Sequence, residues 1–299
     1  MLLPLGALQE LPQNRRPARA VSTAWSPEPL YRRPVATMAQ QVADASDDDV
    51  CCFEPSLFLN EDYEEVTYEV GAVRQRVLCL RAASTDHDLT GQVVWPVSCL
   101  LAWFCEKHRG RFAGARVLEV GAGCGLAGLV ARSVGADATL TDGSDVVCRL
   151  LARATALAPG ATSRKLVWGD RASFDALGGA PWDFVLGADV VQWPALVAPL
   201  LQTVRAALCG AARDDAAFLL GLAPRAATTV ATFFAEAERR GFVCEDHALD
   251  SFLPDPRPAN TASAIPLRVV ELRLRERAPA DVFQSDDPDF SFESAANAC

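Results

Sequence analysis

The sequence predicts an α/β fold, a mostly parallel seven-stranded sheet with helices on both faces, and three observations carry that prediction. From Arg116 to Arg240, short apolar runs of strand length alternate with amphipathic stretches of helical period, the pattern of a sheet built through right-handed crossovers. The first of these runs, Arg116–Val120, passes directly into the glycine-rich turn Gly121-Ala122-Gly123-Cys124-Gly125. The last two strand-like segments, Phe242–Leu249 and Leu267–Arg275, have no helix-length pattern between them, so they should form an antiparallel hairpin at the end of the sheet.

The elements follow in order. Val66–Val70 and Arg74–Leu80 alternate around Gly71-Ala72 and predict an N-terminal β-hairpin. A loop, Ala82–Gly91, leads to Val93-Val94-Trp95-Pro96. Pro96 opens a helix through about His108 with Leu100, Leu101, Phe104 and Cys105 on its apolar face. Beyond the glycine turn a helix runs to about Val134, then strand Ala138–Thr141, helix Val146–Ala158 and strand Lys165–Trp168. Strand Phe184–Ala188 with helix Ala195–Cys209, and strand Ala217–Leu222 with helix Thr228–Arg240, complete the alternation. Gly241 stands at the C′ position that ends the last helix.

Composition narrows the function. The 299 residues are 50% hydrophobic, enough for one substantial core, and no window holds the uninterrupted apolar run a membrane helix needs. A net charge of −10 is the opposite of the basic face that displaces counterions from phosphates. Neither nucleic acid nor membrane is therefore an expected partner, and a cationic acceptor suits the charge better. Ten cysteines form no C-x-x-C pair and the three histidines are far apart, so no metal site is expected. Cysteines inside apolar runs read as core residues of a reducing, cytoplasmic protein. Residues 51–278 are expected to form one domain, with an acidic, disordered tail over 279–299. Residues 1–50 carry Arg15, Arg16, Arg19, Arg32 and Arg33 among prolines. They read as an organelle-targeting segment, a disordered tail or an over-extended start with Met38 as initiator.

The chemistry centres on the glycine turn. In an open α/β sheet ligands bind at the carboxyl ends of the strands, and glycines there let a backbone approach closely. The dinucleotide fingerprint requires glycine three positions after its second glycine, where this chain has Leu126. The glycines instead run G-x-G-x-G, with Glu119 two residues ahead. A carboxylate beside a pyrophosphate would be repelled, whereas beside the ammonium of an amino-acid moiety it is attracted. The turn thus suits a cofactor carrying a methionine end rather than phosphates. Asp142, closing the next strand, is placed to accept hydrogen bonds from ribose hydroxyls, with Ser144 and Asp145 better placed to cap the following helix. Trp168-Gly169-Asp170 belongs to the same rim, where an indole borders an adenine face. Asp189, at the end of the fourth parallel strand, lies nearest the reacting methyl, and Asp183 at its other end reads as structural.

Thr90-Gly91, Val94-Trp95, the Glu119–Gly128 turn, Thr141-Asp142, Trp168-Gly169 and Leu186-Gly187-Ala188-Asp189-Val190-Val191 occur in this order. In this the chain resembles the seven-β-strand (class I) protein-lysine N-methyltransferases of the methyltransferase-like 21 type, over roughly Val66 to Arg275. The resemblance implies a Rossmann-like fold, S-adenosyl-L-methionine as cofactor, and an enzyme acting on a protein substrate that presents a lysine; a monomer is expected. Trp95, Gly121, Ala122, Gly123, Asp142, Trp168 and Ala188 match the family's cofactor-contacting positions. Asp189 matches the acid of its D-x-x-Y motif, which with the aromatic holds the substrate lysine. Here Gln192 replaces that tyrosine and Trp193 follows it, which leaves open the identity of the substrate. A small-molecule amine or thiol acceptor, and a non-catalytic scaffold of the same fold, are the alternatives.

Overall fold

The computed structural model describes residues 63–80, 87–179 and 181–277; the expected segments 1–50 and 279–299, and the first residues of the domain from 51, lie outside them. Alternation in the first segment produces β1 (Glu64–Val70) and β2 (Val73–Cys79), paired antiparallel about Gly71-Ala72. Pro96 at the first helical turn opens α1 (Pro96–Lys107), which a short helix α2 (Arg109–Phe112) extends. The alternating region then gives β3 (Arg116–Glu119), α3 (Leu126–Ser133), β4 (Asp137–Asp142), α4 (Asp145–Ala156), β5 (Thr162–Lys165) and α5 (Arg171–Asp175). Next come β6 (Phe184–Ala188), α6 (Pro194–Leu208), β7 (Ala217–Leu222), α7 (Ala227–Arg239), β8 (Phe242–His247) and β9 (Arg268–Leu274).

The hairpin β1-β2 is a sheet of its own; the other strands form one seven-stranded sheet in the order β5-β4-β3-β6-β7-β9-β8. The five strands β3 to β7 are parallel, while β9 pairs antiparallel with both β7 and β8. Alternation along each strand divides the core between the two faces. Val117, Phe184, Leu186 and Leu219 belong to the cluster formed with α1, α3, α4 and the hairpin. Leu118, Val185, Phe218 and Leu220 belong to the cluster beneath α6 and α7. Both faces of the central strands are therefore dry, as a parallel sheet requires.

One expected strand moves. The sequence predicts the third strand at Lys165–Trp168, whereas β5 is Thr162–Lys165. As an edge strand paired only to β4 it can be polar and largely exposed. Leu166, fully buried, leaves the ladder after donating its N–H to Asp142 O at 2.9 Å. The periodic pattern predicts neither of the short helices α2 and α5. Each spans little more than one turn, below the length at which helical periodicity is readable. No described helix is long and apolar enough to cross a membrane. The described cysteines are all free, with Cys79, Cys99, Cys105 and Cys124 buried.

Candidate active site

Chain order reverses at β3. From it the sheet grows through β4 and β5 on one side, and through β6 and β7 on the other, which makes the carboxyl ends of β3 and β6 the switch point where such sheets bind ligands. The strand ends are laced together there. Val120 N–H donates to Leu186 O at 2.9 Å, Ala122 N–H to Thr141 O at 2.8 Å, and the Thr141 hydroxyl to Glu119 O at 2.7 Å.

On this base the turn rises with Gly121 and Gly123 at φ 58° and 54°, a backbone region that L side chains rarely adopt. A Cβ on Gly121 would also stand 2.9 Å from Val190 Cγ1 and 3.0 Å from Trp168 Cζ2, and one on Gly123 2.9 Å from Gly91 O. Gly121, Ala122 and Gly123 are half-buried, in contrast to the buried strand before them and the buried helix after. Asp142, Trp168, Ala188 and Trp95 are half-buried too. The structure thus gathers Gly121, Ala122, Asp142, Trp168 and Ala188 at the carboxyl ends, with backbone kept open by the absence of side chains.

The two acids flanking the turn have different surroundings. Asp142 Oδ2 accepts Gly123 N–H at 3.2 Å and Oδ1 accepts Ser144 N–H at 3.0 Å. Asp142 therefore ties the turn to the start of α4, while Ser144 at the N-cap makes no side-chain cap bond. Burial pushes the Asp142 pKa above the ordinary carboxylate value against the pull of these N–H donors. Glu119 is 2% exposed, and its Oε2 accepts Gly128 N–H at 3.0 Å from the first turn of α3. Burial pushes its pKa up to about 8, opposed by that single donor, so it is mostly protonated at neutral pH. Asp183 lies away from the rim and accepts Arg116 N–H at 2.8 Å, a structural bond.

Asp189 has φ 58°, the one described non-glycine residue at positive φ. Such a backbone costs roughly 1–3 kcal/mol and persists only when its surroundings over-determine it. Here Asp189 N–H donates to Gly221 O at 2.9 Å, and Gln192 Nε2 donates to Asp189 O at 2.9 Å. The glutamine in place of tyrosine thus holds the backbone of the acid three residues before it. The Asp189 carboxylate is itself taken by Arg225, with Nη2 2.6 Å and Nε 3.2 Å from Oδ2. That guanidinium lies 5.0 Å over the Trp95 ring, whose indole N–H donates to Thr90 O at 2.9 Å. Arg225 was missed by sequence reasoning. The signal was present, because Ala223-Pro224-Arg225 directly follows β7 and so belongs to the same carboxyl-end rim. Trp193, the aromatic beside Gln192, is 48% exposed at the start of α6.

A switch-point glycine turn followed by an acid on the neighbouring strand defines a nucleoside-binding α/β protein. The sequence profile of the lysine methyltransferase family matches residues 75–240, more than half of the chain, and the chain belongs to that family. It is 34% identical to the histone-arginine methyltransferase METTL23 of Mus musculus over 58% of this chain and 69% of that one. It is 35% identical to the protein N-lysine methyltransferase METTL21A of Danio rerio over 38% of this chain and 53% of the relative. With the calmodulin-lysine N-methyltransferase of Arabidopsis thaliana the identity is 31%, over 44% of this chain and 45% of that one. The chain thus spans about half the length of the latter two relatives.

Proposed function

We propose that the protein transfers a methyl group from S-adenosyl-L-methionine to a lysine side chain of a protein substrate. The observation that carries this is the Gly121-Ala122-Gly123 turn, whose open backbone is bonded directly to Asp142. The residues present fit the cofactor. The turn leaves room for its amino-acid end, Asp142 has acceptor capacity for ribose hydroxyls beyond its two backbone bonds, and Trp168 offers an indole beside Gly121. When bound, S-adenosyl-L-methionine supplies a methyl on a sulfonium whose transfer to a neutral amine leaves a neutral thioether and, after proton loss to water, an N-methylated product.

The rest is positioning by the chain. A free lysine has a pKa near 10.4, so it must shed its proton and be aligned. Asp189, rigidly held at the end of β6, receives the amine N–H. The acidic net charge suits a basic protein surface, and the free cysteines suit a reducing cytoplasm.

Two measurements test this. Isothermal calorimetry should show S-adenosylhomocysteine binding to the wild type, and Asp142→Ala should weaken it at least about a hundredfold, since two bonds to a charged acceptor contribute roughly 1.5–3 kcal/mol each. Methyl-labelled cofactor added with the protein to a cell lysate should label protein bands that hydrolyse to methyl-lysine. Methyl-arginine would move the acceptor to that of the METTL23 relatives, and label confined to small molecules would overturn a protein acceptor.

A further inference from the structure

We infer that Arg225 is a specificity-determining residue that spends the charge of Asp189, so that the acceptor site reads a hydrogen-bonding neutral amine rather than a cation. This rests on the methyltransferase reading above and assigns the site a property that Asp189 alone would not have. The Asp189 side chain is 4% exposed and forms a fork-like pair with Arg225 through Nη2 and Nε on one oxygen, Oδ2. The other oxygen, Oδ1, has from Arg225 only the long contact to Nε at 3.4 Å. One carboxylate oxygen thus neutralises a guanidinium while its partner keeps acceptor capacity.

The consequence is electrostatic. An unpaired buried carboxylate favours the charged form of any amine beside it, shifting its pKa by about one to three units toward protonation. An ammonium has no lone pair and cannot take a methyl group. A carboxylate already paired has no net charge to offer, so the acceptor's proton loss is not opposed, and Oδ1 still orients the remaining N–H. Arg225 is fixed for this role. Its guanidinium is stacked over Trp95, Trp95 is anchored through Thr90 O, and its own N–H closes a tight turn onto Ala223 O at 2.8 Å. Arginine is the residue for such a site, since its planar fork both pairs with a carboxylate and stacks on an indole.

The test uses two analogues of S-adenosylhomocysteine in which nitrogen replaces sulfur and bears an aminobutyl or a hydroxybutyl arm, titrated calorimetrically into the full chain at neutral pH. The arms differ in terminal charge and share every other contact. The wild type should bind the two within about threefold. Arg225→Met, and equally Arg225→Gln, should raise the preference for the amino arm tenfold or more, because Asp189 is then unpaired. Arg225→Lys, which restores the charge, should return the ratio toward wild type, a rescue that a merely structural role would not produce. An unchanged ratio in the Met and Gln variants, or a tenfold amino preference already in the wild type, overturns the role of Arg225. Failure of the wild type to bind unmodified S-adenosylhomocysteine would instead bring down the cofactor reading beneath it.

Discussion

Glu119 shows how much a single side chain's state depends on what closes over it. As a residue type it reads as an anion awaiting an ammonium, yet its Oε2 is pressed against Gly128, where any Cβ would collide with it. With a folded pKa of about 8 against an ordinary 4.5, the folded state holds a proton that the unfolded state releases between those values. Stability should therefore fall as pH rises through that window, by up to about 1.4 kcal/mol per pH unit, and level off above it. Glu119→Gln keeps the shape and removes the titration. Urea midpoints measured at pH values from about 5 to 8 should slope downward in the wild type and run flatter in the variant; parallel curves would show that Glu119 is not the titrating group. The G-x-G-x-G spacing and the acid at Glu119 were legible because they are local. The burial that protonates Glu119 was not, since it is built by Gly128 and by Leu140 of the neighbouring strand.

At the scale of elements, the least readable feature is the bond between α2 and β9. Arg111 forks onto Glu271 at 3.0 and 2.8 Å and reaches Asp215 at 3.2 Å. His247 and Arg273 complete the set around Glu271 at 2.8 Å each. Glu271 is 1% exposed, and although burial raises its pKa, Arg111 and its other partners outweigh that and hold it at about 2. Arg111→Met leaves this carboxylate short of its main partner inside the sheet and should cost about 3–5 kcal/mol, read as a lower urea midpoint. A shift below 1 kcal/mol would show the remaining partners suffice. The pair's contribution is complete above the unfolded value of 4.5 and should be lost as pH falls toward 2. Periodicity found the long elements around this pair, from α1 to α7, because each repeats its pattern over several turns or buried pairs. It misplaced β5 for the opposite reason. The apolar run Leu166-Val167-Trp168 follows the strand, and the strand itself is a polar edge.

For the whole molecule, strand existence and antiparallel closure were legible, but the order of the last three strands was not. Nothing local says that β9 inserts between β7 and β8, because that choice is made by long-range pairing. The order has a consequence for where the folding unit stops. The family match closes at residue 240, yet β7 is buried along its whole length and its outer edge is bonded to β9 from Phe218↔Leu272 to Leu222↔Arg268. Removing 242–299 would strip that edge, leave the outward N–H and C=O groups of a wholly apolar strand unpaired, and delete the Glu271 that holds Arg111. An unpaired edge of this kind invites aggregation. A chain ending at Gly241 should therefore be recovered mainly as aggregate, with no cooperative thermal transition by circular dichroism, although it retains the glycine turn, Asp142, Asp189 and Arg225. If that shortened chain instead melts cooperatively and binds S-adenosylhomocysteine as the full chain does, the terminal hairpin is an accessory to the fold rather than the strand pair that completes it.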